Sequence, residues 1–264
     1  MSIQEKCRVL DHKEVAPKHF KLTLFSKYIS SHAEPGQFVN IRCSEDYDPL
    51  LRRPFSIHRV AKDYFELLYE VVGKGTDLLS KHTIGSEIDV LGPLGSGFKI
   101  DKNKQIAILA GGGMGIAPLM LLAETLKDQV KAIYVLIGCN CKSRLICEQD
   151  FKSVTDQVLV STDDGSYGKK GFVSDILLEV LNDTIGARNA ELATIYACGP
   201  KPMLKAVTDI AFQKKIDCQV SMEERMACGI GTCLGCVVKT KDGYKKVCYD
   251  GPVFEGKDII FWGS

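Results

Sequence analysis

Residues 105 to 126 read QIAILAGGGMGIAPLMLLAETL. A short apolar run ends in a row of glycines and passes into a helical pattern, so the stretch spells strand, turn, helix. Gly111, Gly112, Gly113 and Gly115 directly after a strand, with Pro118 suited to a first helical turn, let backbone approach a diphosphate at a helix N-terminus. The residue three after Gly113 is Ile116, so the pattern departs from G-x-G-x-x-G, and a tight structural turn would show the same glycines. The rhythm continues downstream. The runs KAIYVLIGC, DQVLVST, TIYACGP and DCQVSM alternate with the helical patterns FVSDILLEVLND and PKPMLKAVTDIAFQK. Such alternation predicts a parallel sheet covered on both faces, an α/β domain over residues 101–222. Thr162-Asp163-Asp164-Gly165 and Cys198-Gly199-Pro200 follow strands of this domain. Both fall on the carboxyl edge, where ligands of parallel sheets bind.

Upstream the period changes from helical to alternating. CRVLDHKEV, HFKLTLFS, GQFVNIRC, PFSIHRV, YFELLYEVV and SEIDVLG read as six short strands, punctuated by APK, EPGQ, CSEDYDP and VGKGT. They predict a small antiparallel β-barrel over residues 1–100, with DLLSKH at 77–82 as its only helical turn. Within a strand lie Arg53, Pro54, Phe55 and Ser56. There Arg53 suits a phosphate and Ser56 offers a hydroxyl to a polar ring atom, although an edge charge and an edge proline would look the same. Gly73-Lys74-Gly75-Thr76 stands between a strand and that helical turn, a place for a pyrophosphate or a plain glycine turn. Gly92-Pro93-Leu94-Gly95 reads as a rigid corner before the linker DKNK.

The last forty residues lose both rhythms and carry MACGIGTCLGCVV at 226–238. Cys228, Cys233 and Cys236 follow C-x4-C-x2-C, and Cys248 comes later in KKVCYDGP. This is the plant-type [2Fe-2S] arrangement, three thiolates on a tight loop and a fourth from a nearby strand. Glycines between the ligands allow the loop its backbone angles and its close N–H approach to sulfur. A structural zinc also takes four thiolates, but usually as two C-x2-4-C pairs. The stretch therefore predicts a small [2Fe-2S] module over 223–264. Cys139, Cys141 and Cys147 read as spare core or loop cysteines, as do Cys7, Cys43 and Cys218. None of the five histidines has ligand spacing, and none is assigned a role.

Composition excludes several classes of partner. Lys plus Arg number 34 against 33 Asp plus Glu, so no whole-chain field favours nucleic acid or an anionic membrane. MSIQEKCRVLDHKEV has no apolar core of a signal peptide, and the richest apolar run, IAPLMLLAETL, is too short to span a bilayer. A cytoplasmic location follows as the expectation, and 11 cysteines there favour metal or redox chemistry over disulfides.

RPFS, GKGT, GGGMGIAPL and CGP, in this order, resemble the ferredoxin-NADP reductase superfamily. The C-terminal MACGIGTCLGCVV with VCYDGPVF resembles one branch, the electron-transfer subunits of two-subunit, NAD-linked dihydroorotate dehydrogenases B. That resemblance covers the whole chain. It implies FAD on the barrel, lined by Arg53, Pro54, Phe55, Ser56, Leu68, Tyr69, Glu70, Gly75 and Thr76. It implies NAD on the α/β domain, with Gly111, Gly112, Gly113 and Gly115 near the diphosphate, and Thr162, Asp163, Gly199 and Pro200 on the same edge. Cys198 would stand near the nicotinamide ring as the catalytic candidate, and Cys228, Cys233, Cys236 and Cys248 would carry [2Fe-2S]. The implied partner is an FMN-containing catalytic subunit that oxidises dihydroorotate in pyrimidine (UMP) biosynthesis, in a heterotetramer of two of each. A cluster passes single electrons and NAD⁺ accepts a hydride, so a flavin belongs between them. Two other readings stay open. One is the flavin/iron-sulfur subunit of an NADH-dependent ferredoxin reductase or a sulfide-dehydrogenase-like complex. The other is a zinc-stabilised sensor or binding module without catalysis.

Overall fold

The structure, a computed structural model, describes residues 1–261. The end of the expected C-terminal module, residues 262–264, lies outside the described residues.

The alternating N-terminal runs form β1 (Ile3–Ala16), β2 (His19–Phe25), β3 (Phe38–Ile41), β4 (Arg53–Val60), β5 (Tyr64–Glu70) and β6 (Glu87–Leu94). They close into a barrel in the order β1-β2-β5-β4-β3-β6, with β6 returning antiparallel to β1. Every second residue points inward, so Leu22, Leu24, Phe65, Leu67, Ile88 and Val90 fill the interior. Three local expectations are corrected. A six-residue helix, α1 (Lys27–His32), follows β2; it starts because Ser26 Oγ accepts the Ile29 N–H at 2.9 Å. The next helix, α2 (Lys74–Leu79), begins earlier than DLLSKH suggests, so Gly75 and Thr76 lie in its first turn. The expected corner at Gly92 and Pro93 is strand, because β6 runs through to Leu94; the chain turns at Gly95, which has φ +76°.

The second rhythm forms β7 (Ile106–Gly112), α3 (Leu119–Leu126), β8 (Ala132–Cys139), α4 (Glu148–Lys152), β9 (Val158–Thr162), β10 (Lys169–Lys170), α5 (Val173–Glu179), α6 (Gly186–Asn189), β11 (Ala193–Cys198), α7 (Lys201–Lys214) and β12 (Asp217–Ser221). The sheet order is β10-β9-β8-β7-β11-β12, parallel throughout. Alternate residues face opposite layers. Ile108, Ala110, Ile195 and Ala197 meet α5 and α7, whereas Leu109, Val135, Ile137 and Tyr196 meet α3. The chain winds outward from β7 to β9 and then returns to the other flank of β7 with β11. The carboxyl ends of β7 and β11 are thus the point where strand order reverses, and both GGGMG and CGP sit there.

The C-terminal segment forms the hairpin β13 (Val237–Thr240) and β14 (Gly243–Lys246), then α8 (Val247–Asp250) and β15 (Val253–Glu255). It shares structure with the α/β sheet. β15 pairs antiparallel with β12, and Cys236, Val238, Val247 and Cys248 belong to the same apolar cluster as α5 and α7. Cys248 stands in the short helix α8 and not, as expected, in a strand.

Candidate functional site

A cavity of about 450 Å³ opens between the barrel and the carboxyl edge of the sheet. The barrel contributes Arg53, Pro54, Phe55, Ser56, Leu68, Tyr69, Glu70 and Thr76 to its wall. These residues lie on neighbouring strands because β4 pairs with β5, and α2 follows directly from β5. Phe55 meets Tyr69 edge to face at 5.4 Å, and the buried Tyr69 hydroxyl holds His12 Nε2 at 2.8 Å. Burial raises the Tyr69 pKa. Arg53 lies over the first turn of α2: a Cβ on Gly75 would stand 3.0 Å from Arg53 Nε. Glycine lets the guanidinium sit this close to the helix N-terminus without shifting, and a guanidinium beside a helix N-terminus has the chemistry of an anion site. Thr76 has a more local duty. Its Oγ1 accepts the N–H of Val72 at 2.9 Å and of Gly73 at 3.2 Å, so it shapes the loop from within.

The opposite wall was not foreseen from the sequence. Ser221, Met222, Glu223 and Glu224 at the end of β12 face the barrel, with Met114, Ala117 and Pro118 beside them. Cys198 is fully buried at the end of β11 and is absent from the cavity wall. Its Sγ–H donates to Glu223 Oε1 at 3.7 Å, so the carboxyl group stands at the wall in its place. Burial pushes the Cys198 thiol well above its ordinary value, with the Glu223 charge adding to it. Burial also raises the pKa of Glu223, against a smaller opposing effect of the Cys198 hydrogen bond. Both shifts favour the protonated forms of the two groups at the sheet edge.

A second cavity of about 450 Å³ lies along the same edge and includes Gly112, Gly113, Cys139, Asn140, Asp163, Pro200 and Met203 in its wall. The four glycines of the loop do different work. A Cβ on Gly115 would come within 2.3 Å of the Cys198 carbonyl oxygen, and one on Gly111 within 2.5 Å of Ile116. These two permit backbone packing. Gly112 and Gly113 face the cavity, and Gly113 has φ +54° with open space where a Cβ would stand. Thr162 is buried, its Oγ1 donating to the Tyr167 carbonyl at 2.7 Å, and it braces the loop that carries Asp163. Gly199 packs against Gly112. Arg144 pairs with Glu70 of the barrel.

The cysteine loop sits against both domains. Asn40 of β3, 1% exposed, donates from Nδ2 to the Cys228 carbonyl at 3.3 Å. Gly229, with φ +71°, makes that approach possible, since a Cβ there would stand 2.3 Å from Asn40 Nδ2. Each of the four sulfurs accepts a backbone N–H: Cys248 from Gly231 at 3.1 Å, and Cys228, Cys233 and Cys236 from Thr232, Gly235 and Cys248 at 3.4 Å. The Cys248 N–H donated to Cys236 Sγ joins those two residues, and Cys233 is the cysteine that acts on Cys228, which divides the four into two pairs. A tetrahedral zinc at about 2.3 Å from each sulfur would gather all four within roughly 3.8 Å of one another. No three of these cysteines come mutually within 4.8 Å; among the described residues the only such metal-type group is His58, Cys147 and Asp150. Two pairs, each with N–H donors, fit two irons with two thiolates apiece.

A closed barrel, a doubly wound sheet and a paired-cysteine loop beside their shared cleft define an electron-transfer protein of the ferredoxin-reductase type with an iron-sulfur module. Comparison with known proteins makes the assignment narrower. Residues 223–260 match the iron-sulfur cluster binding domain of dihydroorotate dehydrogenase B, and residues 109–209 match the oxidoreductase NAD-binding domain. The chain is 42% identical to the dihydroorotate dehydrogenase B (NAD(+)), electron transfer subunit, of Lysinibacillus sphaericus, over 95% of this chain and 96% of that one. It is 39% identical to the subunit of the same name from a Geobacillus species, over 98% and 100%. Among solved structures, an NADH-dependent reduced ferredoxin-NADP oxidoreductase superimposes with a TM-score of 0.86 at 32% identity, over 97% of this chain and 90% of that one. The chain belongs to the family of electron transfer subunits of NAD(+)-linked dihydroorotate dehydrogenase B.

Proposed function

We propose that the cleft between barrel and sheet holds FAD as the junction of a relay running from a partner's FMN through the [2Fe-2S] cluster and FAD to NAD⁺. One observation carries this reading. The cleft is lined at once by Arg53 to Ser56 of the barrel, by Met222 to Glu224 of the sheet edge, and by Met226, two residues ahead of Cys228. Two residues of chain span about 7 Å at most, so cluster loop and cleft are neighbours.

In this reading the residues divide the work. Arg53 and the first turn of α2 hold the diphosphate, and Phe55, Ser56, Leu68, Tyr69 and Glu70 line the ring and its chain. Gly112, Gly113, Asp163, Gly199 and Pro200 receive the dinucleotide on the sheet edge, with Gly111, Gly115 and Thr162 shaping that edge. Glu223, backed by Cys198, holds a proton beside the nicotinamide position. Cys228, Cys233, Cys236 and Cys248 carry the cluster. Bound flavin supplies the ability to exchange electrons singly or as a hydride. The three modules are 1–100, 101–222 and 223–264.

Around the cluster loop, Ile230, Leu234 and Tyr249 are exposed apolar side chains, 50%, 63% and 65% accessible. They suit a face that docks an FMN-bearing catalytic subunit oxidising dihydroorotate, in an assembly of two of each chain. No described helix is long and apolar enough to cross a membrane, and the reading places the complex in the cytoplasm. The test is to mix the purified chain with such a catalytic subunit and follow dihydroorotate-driven NADH formation. A stable complex with that activity supports the reading; a chain lacking flavin absorption, or a complex inert to dihydroorotate, overturns it. The similarity to the NADH-dependent reduced ferredoxin-NADP oxidoreductase favours one second reading, a subunit that exchanges electrons with ferredoxin. Reduction of ferredoxin by NADH without any dihydroorotate activity would select it.

A further inference from the structure

We propose that His58, Cys147 and Asp150 form a binding site for a divalent transition-metal ion of zinc type, between the barrel and the α/β domain. The nitrogen, sulfur and oxygen donors of these three side chains all lie within 4.8 Å of one another. His58 comes from β4 of the barrel, whereas Cys147 directly precedes α4 in the left-handed region and Asp150 lies three residues further on, within that helix.

His58 points to a ligand independently of its neighbours. It is 1% exposed, and its Nδ1 lies 2.8 Å from the Ala117 carbonyl. A carbonyl only accepts, so Nδ1 carries the hydrogen and Nε2 is left as a bare lone pair. That Nε2 is buried and has no hydrogen-bond partner. An unpartnered buried acceptor is destabilising, and a ring N–H donated to a backbone carbonyl is how metal-bound histidines are held.

The charge around the group also calls for a cation. Arg59 is the guanidinium shared by Glu124 at 2.7 Å, Glu66 at 3.8 Å and Asp150 at 3.9 Å. Two positive charges, Arg59 and the Lys21 that acts on Cys147, face three carboxyl groups. An imidazole, a thiolate and a carboxylate make a donor set of intermediate softness, which suits Zn²⁺ better than Mg²⁺ or Ca²⁺. Zinc at about 2.0 Å from nitrogen and oxygen and 2.3 Å from sulfur sets donor separations of roughly 3.3–3.6 Å. The three donors, now within 4.8 Å of one another, would draw closer on binding. Binding releases the Cys147 thiol proton to solvent. The fourth position opens on a cavity of about 460 Å³ lined by Lys21, Lys142 and Tyr167, and water or a small anion completes the coordination there. The ion would tie β4 to α4. It is separate from the cluster cysteines.

The test uses the intact protein with its flavin and cluster in place. It is equilibrated with Zn²⁺, desalted, and assayed for zinc, iron and flavin in one sample, with zinc-edge absorption spectroscopy on the product. The expected result is one zinc per chain beyond the cluster iron, bound by one sulfur with nitrogen and oxygen. Cys147→Ser and Asp150→Asn should each weaken zinc at least tenfold with iron and flavin unchanged. If Cys147→Ser does not fold, Asp150→Asn decides alone. Zinc well below one per chain, zinc retained equally by the folded variants, or a four-sulfur environment would overturn the proposal.

Discussion

Replacing Gly115 by alanine puts the sheet-edge account under direct strain. The new Cβ would stand 2.3 Å from the Cys198 carbonyl oxygen, 2.4 Å from its carbon and 2.5 Å from the Gly199 nitrogen. Ordinary contact begins near 3.4 Å, so the gap is short by about 1.1 Å. All three neighbours are backbone, and no rotamer relieves them. Overpacking of this kind costs about 1–3 kcal/mol, and a displacement of about 1 Å in a positioning element can cost on the order of 100-fold in rate. The strained segment is Cys198-Gly199, which holds Glu223 and forms part of the proposed nucleotide edge. Gly115→Ala should therefore lower kcat/KM for NADH-driven reduction of a dye by roughly 10- to 100-fold, with flavin and iron content retained. Gly113→Ala, whose Cβ meets nothing and whose strain is confined to holding φ +54° at about 1–2 kcal/mol, should have the smaller effect. If Gly113→Ala is the damaging change and Gly115→Ala is mild, Gly115 does not act through this packing and the reasoning fails.

Arg53→Ala removes the charge over α2 and should weaken FAD about 10- to 100-fold, since hydrogen bonds to charged groups contribute about 1.5–3 kcal/mol; flavin retained through gel filtration would contradict the assignment. Glu223 has a folded pKa raised by burial, so its protonated form stabilises the fold at low pH. That contribution is full below the ordinary value of 4.5 and is lost as pH rises through the folded pKa, by up to about 1.4 kcal/mol per pH unit. The stability of wild type minus that of Glu223→Gln, measured by denaturant unfolding across this range, should fall with rising pH; a flat difference excludes the shift. Asn40→Ala should loosen the cluster loop, and faster loss of iron to a chelator with unchanged NADH-to-dye activity is the result to look for.

Much of this architecture was legible in the sequence because its signals are local. Alternation over five to eight residues defines the barrel strands, and glycines after QIAILA or cysteines in C-x4-C-x2-C carry their chemistry within a dozen positions. What escaped depends on distant partners. Glu223 and Met222 reach the cleft only because β12 lies beside β11, a topological fact that DCQVSM does not encode. β15 is three residues long and owes its existence to pairing with β12. Asn40 gains its meaning from Cys228, and Glu70 from Arg144, across separations of 188 and 74 residues. Cys147 read as a spare loop thiol, and His58 had no assigned role, because neither shows its neighbour until barrel and sheet are packed together. Among the nucleotide-loop glycines, the residue type was visible but the cause was not: Gly115 accommodates protein backbone, whereas Gly113 faces open space.

In the proposed relay electrons enter through the cysteine loop and reach NAD⁺ by way of the flavin cleft. Cys233 is the exposed member of the four cysteines, and Cys233→Ser removes one thiolate of the Cys228 pair. The decisive measurement compares wild type and this variant in complex with an FMN-bearing dihydroorotate-oxidising subunit, following NADH formation and NADH-to-dye activity side by side. Loss of dihydroorotate-driven NADH formation with FAD and dye reduction preserved is the predicted result. Undiminished NADH formation by a variant shown to lack the cluster would contradict the relay.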